Sequence, residues 1–422
     1  MIKLLIAISI LTAGLSVGRP ALRDEVLTGS HFCGSYMPYE WVEQDYSPVP
    51  EGFKPFYVSH FGRHGSRYHN SLSSFKKVSS IYEKAAAKGL LTEEGERQKA
   101  LFDEFHAFSK PNIGQLSDVG RCEHREIAAR MAARWPEVFA QGHRAYAVSS
   151  KVGRVRESMK SFDRSLEKSG ISIEEHYGDE WQWYVAPITP EYKAYFEDGE
   201  WKAVSDEFQK SYDPAPLVRR LVKSESVFKG RDDEARFARA LFAVATGVKA
   251  AGSTLNLLEP FSEDDLFALW EQKNLTQYLG KGPSAVGDGI ALSVAVPLLQ
   301  DIIDRADRAI ASGEWNADLR FGHGEGIMPL TGLMGIEGFS EETADAAKVS
   351  SLWQDWKTAC LASNVQMVFY RNAKGKVLVK TLLNEREVSF DGCRKAAATS
   401  GPYYEWKTLK AFLEKRIKQY KR

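Results

Sequence analysis

The sequence predicts an α/β fold, a Rossmann-like three-layer α/β domain carrying an inserted, mainly helical cap. Strand–loop–helix alternation near both ends and an aromatic-rich, strand-poor stretch between them carry that expectation. Size agrees with it. At 422 residues the chain exceeds one ordinary compact unit, and 43% apolar residues allow a large core. The expected boundaries are 19–170 and 285–422 for the α/β domain and 171–284 for the cap. The cleft between them is the default site.

The elements follow in order. MIKLLIAISILTAGLSVG has Lys3, an apolar run from Leu4 to about Ala13, then small residues. That is the layout of a signal peptide, residues 1–18, and the run is too short to span a bilayer. Export to the periplasm or beyond the cell is therefore expected. KPFYVSHFGRHG, from Lys54, reads as a short strand (FYV) entering a Gly-containing loop. SLSSFKKVSSIYEKAAAKGLL has helical apolar spacing and closes at Gly89. LTEEGERQ and LSDVGRCEH each set Thr or Ser before an acidic first turn, so both open capped helices.

HRAYAVSS, from His143, reads as a second strand, and SKVGRVRESMKSFDRSLEKSG turns from it into a helix ending at Gly170. Between Ile171 and Ser284, Trp181, Trp183, Tyr184, Trp201 and Trp270 mark a helical stretch without a strand. Its run ALFAVATGVKAAGSTLNLL is interrupted by Lys249 and reads as a core helix, so no membrane span is expected after signal removal. DGIALSVAVPLLQDIIDRADRAIAS predicts one long helix with Pro297 inside it. ADLRFGHGEGIMPL reads as strand, loop and helix, NVQMVFYRNAKGKVLVKTLLNEREV as a β-hairpin, and AFLEKRIKQYKR as a closing helix.

With 56 basic and 56 acidic residues the formal charge is zero, which argues against a nucleic-acid or membrane-surface binder. Any anion site must be local. Cys33, Cys122, Cys360 and Cys393 allow three full pairings and have no zinc-like spacing, so disulfides and free thiols both stay open.

The densest chemistry lies in VSHFGRHGSRYHN, residues 58–70, which holds three of the nine histidines. Metal is disfavoured: His60 and His64 have a helical ligand spacing on a strand-to-loop segment, and Arg63 and Arg67 would repel a cation. Phosphate suits the residues better. Guanidinium forks match phosphate oxygens, Gly62 and Gly65 let the backbone approach, and the His64 imidazole can attack phosphorus. Arg154, just past the second strand, and His323 with Glu325, after the Leu319 strand, should reach the same sheet edge. A histidine there can donate to a phosphoryl oxygen, and a carboxylic acid can protonate a leaving alkoxide. No metal or cofactor is required. His60 and His69 are undecided between site and structure. Lys273, Asn274, Arg219 and Arg220 are candidate cap residues for a highly phosphorylated substrate.

RHGSR, LSDVGRCEH and GRVRESMKSF, in this order, resemble elements of the histidine acid phosphatase branch of the histidine phosphatase superfamily. The likeness extends from about Phe56 to the hairpin near Val388. His323-Gly324-Glu325 departs from the frequent His-Asp and resembles the His-Ala-Glu of the multiple inositol polyphosphate phosphatases. Tyr68 and His69 follow RHGSR where the family usually has Pro. The resemblance implies a phosphohistidine on His64, with Arg63, Arg67, Arg154 and His323 binding phosphoryl oxygens and Glu325 as proton donor. Burial is expected to raise the Glu325 pKa and give an acidic to near-neutral optimum. The implied substrate is a small phosphorylated molecule, an inositol polyphosphate such as phytate. The rivals are a broad-specificity acid phosphatase and a non-catalytic phosphate-ester binding protein.

Overall fold

The computed structural model describes residues 19–397, 399 and 401–422; the predicted signal peptide, 1–18, lies outside them. Eight strands form one sheet: β1 (Phe53–Arg63), β2 (Arg144–Ser149), β3 (Ser172–Tyr177), β4 (Ala317–Gly322), β5 (Asn364–Asn372), β6 (Val377–Leu383), β7 (Arg386–Val388) and β8 (Tyr403–Glu405). Their order is β3-β2-β4-β1-β5-β6-β7, with β8 also on β6. β3, β2, β4 and β1 run parallel; β5 onward is antiparallel.

Helices cover both faces, giving the α/β layering that the alternation predicted. Val58, Leu319, Phe321 and Val368 pack on the helices Asp118–Arg134 and Gly153–Leu166 through Ile127, Met131, Met159 and Phe162. Tyr57, Phe61, Met367 and Phe369, the alternate residues, face Val296–Ser312, Gly324–Met334 and Trp406–Tyr420. Every residue of β4 is buried, so its polar members need partners. Arg320 Nε donates to Asp301 Oδ2 (2.6 Å), and Asp318 accepts from Arg305 Nη1 (2.8 Å) and Tyr57 Oη (2.6 Å).

A separate apolar core lies on the helical side. Phe75, Val78 and Tyr82 of the helix Ser73–Ala87 and Phe102 and Phe105 of Glu93–Ser109 join Leu217, Phe237, Leu241 and Trp270. This core joins the helices at 73–109, which the sequence placed with the α/β part, to the 212–270 region, and Val26, Phe32 and Trp356 also belong to it. Both predicted caps are present, Thr92 Oγ1 accepting from Gly95 N and Ser117 Oγ from Gly120 N.

Three other elements differ from the sequence expectation. β3 opens the stretch read as strand-free; it is an edge strand, largely exposed, so no apolar alternation marks it. Pro297 lies in the first turn of Val296–Ser312, after a separate short helix Ile290–Ser293, where its missing N–H removes no helical bond. The hairpin extends into β7 through Asn384 and Glu385, whose φ of 51° and 61° form a tight two-residue turn. All four cysteines are free thiols. Among the described residues no helix is long and apolar enough to cross a membrane.

Candidate active site

Parallel register brings three strand ends to one edge. Arg63 of β1 pairs with Gly322 of β4, and Ser149 of β2 with Phe321, so the loops opening with His64, Ser150 and His323 emerge side by side. Two helices begin there directly, Gly153–Leu166 and Gly324–Met334, and their N-terminal amides favour an anion.

The Arg63–Arg67 loop is held from below. Gly65 lies so close to the helix Asp118–Arg134 that a Cβ on it would meet the Gly120 carbonyl oxygen at 2.6 Å. Glu123, buried on that helix, accepts from Ser66 N (2.7 Å), Ser66 Oγ (2.6 Å) and Tyr39 N (2.8 Å). Burial outweighs those donors and raises its carboxyl to about 7. Ser158 Oγ accepts from Gly65 N at 3.1 Å.

His64 is buried, with Nδ1 3.0 Å from the Gly65 carbonyl oxygen. A carbonyl only accepts, so Nδ1 carries the proton and Nε2 keeps its lone pair. Burial, then the charges of Arg63, Arg67 and Arg154, hold the ring neutral, well below its ordinary pKa. The His323 ring centroid lies 5.7 Å away, edge to face. His323 caps its helix and meets Ser150 Oγ through Nε2 at 3.0 Å; burial lowers it to about 4, partly opposed by Glu325.

The arginines are anchored at one side. Arg63 Nη1 donates to the carbonyls of Ser35 and Ala359. Arg67 Nη1 donates to the Tyr68 carbonyl (2.9 Å), and its guanidinium lies 5.1 Å from the Tyr36 ring centroid. The Nε atoms of Arg63, Arg67 and Arg154 are buried without protein partners. Burial, then repulsion from Arg67, lowers Arg154 to about 10. Such cations are poised for an anionic ligand.

Glu325 departs from expectation. Its side chain is 46% exposed, and Lys281 Nζ, at the end of the helix Glu263–Lys281, lies 2.9 Å from Oε1. The ammonium outweighs the effect of burial and holds the carboxyl well below the carboxylate range, the reverse of the predicted rise.

Of the cap candidates, Lys273 comes near: its Nζ donates to the Cys33 carbonyl (3.0 Å) and lies 4.3 Å from the Tyr36 ring shared with Arg67. Asn274 is spent on structure, its Nδ2 donating to the Trp353 carbonyl and its Oδ1 accepting from Asp355 N. Arg219 is exposed beside Glu225 (3.8 Å), and Arg220 binds Asp265 (3.0 Å) and the Pro260 carbonyl. His69 joins the loop to the helical lobe, 3.0 Å from the Ala243 carbonyl oxygen, while His60 packs on Phe162 and Phe321 in the core.

Sequence reasoning missed Glu123, Tyr36, Ser150 and Lys281 as participants. Glu123 stands inside the LSDVGRCEH element, but nothing local in the sequence marks its carboxylate as turned toward Ser66.

Known proteins share this arrangement of strands and loops. The chain is 22% identical over 380 residues to multiple inositol polyphosphate phosphatase 1 of Gallus gallus, covering 84% of this chain and 81% of that one. The fold matches that of the Bifidobacterium longum multiple inositol polyphosphate phosphatase in complex with inositol hexasulfate, with a TM-score of 0.77, 19% identity and coverage of 90% and 97%. The phytase from D. castellii matches at a TM-score of 0.72 and 15% identity, over 92% and 85% of the two chains. Residues 57–384, from the strand that delivers His64 past the turn that delivers Glu325, match the family model, and the chain belongs to the histidine phosphatase superfamily, branch 2.

Proposed function

We propose that this chain is an exported phosphomonoesterase that dephosphorylates inositol polyphosphates through a phosphohistidine on His64. One observation carries the chemistry: the neutral His64 ring, its proton fixed on Nδ1 by the Gly65 carbonyl, among three arginines with unused donors. The substrate class is supported by relatives named as inositol polyphosphate phosphatases and phytases. Export rests on the pattern of residues 1–18.

Nε2 of His64 attacks phosphorus in line, forming the N–P bond as the ester P–O bond breaks. Arg63, Arg67, Arg154 and neutral His323 take the phosphoryl oxygens and the charge spread over them. Protonated Glu325 gives its proton to the departing alkoxide. The resulting carboxylate then takes a proton from water, whose oxygen bonds to phosphorus as the N–P bond breaks, releasing inorganic phosphate and restoring His64. We further propose that residues 171–284, joined by the helices at 73–109, cap the cleft.

The test is phosphate release from phytate by the purified chain, with and without EDTA, beside His64→Ala. EDTA-resistant release that falls about ten-thousandfold or more in the variant is expected. Release that survives the substitution would remove the histidine mechanism. Turnover of p-nitrophenyl phosphate without release from phytate would remove the substrate assignment.

A further inference from the structure

Lys281 is placed for more than stability. Its side chain is 12% exposed, whereas its partner Glu325 is 46% exposed, so the ammonium is largely buried while the carboxylate is half open to solvent. The amine has three donors, and Glu325 takes one of them at 2.9 Å; the Phe196 ring lies 5.8 Å from it, centroid to nitrogen. Glu325 also feels Arg63 from β1, Arg154 from the helix Gly153–Leu166, His323 from its own turn and Tyr192 from the helix Pro190–Asp198.

This pair conflicts with the role of Glu325 in the proposed mechanism. An acid that must deliver a proton is held at rest as an anion by a direct cation. A substrate with a single phosphate leaves that contact intact. One with a second phosphate close to the scissile group brings a dianion that competes for Lys281 and, by its own charge, favours the protonated form of Glu325.

We propose that Lys281 is a specificity-determining residue that exchanges Glu325 for a second phosphate group of the substrate, freeing Glu325 to carry the proton. The inference rests on the phosphomonoesterase reading. It makes polyphosphorylated esters the preferred class because they alone disengage the pair.

The test uses the full chain, Lys281→Met and Lys281→Arg, with thermal unfolding verifying that all three fold. One arm compares kcat/KM for inositol hexakisphosphate and p-nitrophenyl phosphate across pH; the other measures binding of non-hydrolysable inositol hexakissulfate and of inorganic phosphate. Lys281→Met should lower the ratio of the two kcat/KM values roughly tenfold or more, mainly through KM, and weaken hexakissulfate binding by a similar factor. It should also move the basic limb of the inositol hexakisphosphate kcat/KM profile upward, since Glu325 of the free enzyme then protonates more readily and the alkoxide leaving group needs that proton, and Lys281→Arg should restore the ratio. An unmoved ratio with wild-type hexakissulfate binding would overturn the proposal while leaving the phosphatase reading intact. If the wild-type chain releases phosphate from neither ester, the phosphatase reading falls; weaker hexakissulfate binding in Lys281→Met would still support the exchange of partners.

Discussion

The floor of the cleft and its rim each rest on one glutamate, and the two are treated oppositely. On the floor, Glu123 is buried, receives three hydrogen bonds and touches no cation; burial raises its carboxyl to about 7. On the rim, Glu325 is half open to solvent and held low by Lys281. The first carboxylate fixes a backbone. The second is positioned by a contact that a ligand can break, which leaves it available for chemistry. The same side chain thus becomes a strut or a reagent according to what surrounds it.

Exchanging each carboxyl for an amide should separate those roles. Glu325→Gln removes the proposed acid, and kcat for phytate should fall about a thousandfold, while stability moves by less than about 0.5 kcal/mol. The loss should be smaller for p-nitrophenyl phosphate, whose leaving group needs little protonation. Steady-state rates on both esters, with urea denaturation alongside, read the two effects. Equal losses on both esters would move Glu325 from proton donor to binding residue.

Glu123→Ala should behave in the converse way. It strips buried donors of their acceptor and should cost about 3 kcal/mol of stability by urea denaturation, with Glu123→Gln losing less because its amide oxygen still accepts. A Glu123→Ala protein as stable as wild type would show that the Gly65–Gly120 packing alone sets the loop.

Stability against pH adds a third distinction. His60 and His124 are buried in the core behind the floor and lowered to about 3 by burial. Both bind protons only when unfolded between about 6.5 and 3. Their contribution is complete above 6.5 and is lost as pH falls through that window. Glu123, raised from 4.5 to about 7, works the other way: its contribution is complete below 4.5 and is lost as pH rises toward 7. His64, His69 and His323, also lowered by burial, join His60 and His124, and together they outnumber the strongly raised carboxyls Glu123 and Asp163, so acidification from 6.5 to 4.5 loses stability, at most about 1.4 kcal/mol per pH unit for each unbalanced proton. His60→Leu should flatten that slope by about one proton in denaturation series at several pH values. An unchanged slope would place the acid sensitivity elsewhere.

The floor was legible in the sequence because its chemistry is local: Arg63, His64 and Arg67 lie within the single stretch RHGSR, and glycine, strand and cap signals frame them. The rim was not. Lys281 and Glu325 are 44 residues apart and Arg67 and Tyr36 are 31 apart, so only the fold brings them together. Glu123 was quoted within a motif, yet its grip on Ser66, 57 residues away, needed the helix docked. The fold shows the same division. Capped helices and the central strands follow from short-range patterns, whereas the edge strand β3 hides behind exposed polar residues. The pairing of helices 73–109 with the 215–270 region is a long-range packing event that no local period reports.

The smallest effect belongs to a charge that the sequence offered as a substrate contact and the structure pairs with a neighbouring carboxylate. Arg219 is 63% exposed and lies 3.8 Å from an equally open Glu225. An exposed pair at that distance contributes little after screening and side-chain entropy, so Arg219→Ala should change stability by less than about 0.5 kcal/mol. Its kcat/KM for phytate should stay within about twofold of wild type, because a solvated charge already paired with Glu225 is screened and steers weakly at physiological salt. The assay should be repeated at low salt, where any long-range attraction grows. A tenfold fall at either ionic strength would mean that the helical lobe carries Arg219 over the cleft during turnover. The rim would then be wider than the Lys281–Glu325 pair, and the contrast with the rigid floor would become one of motion as well as charge.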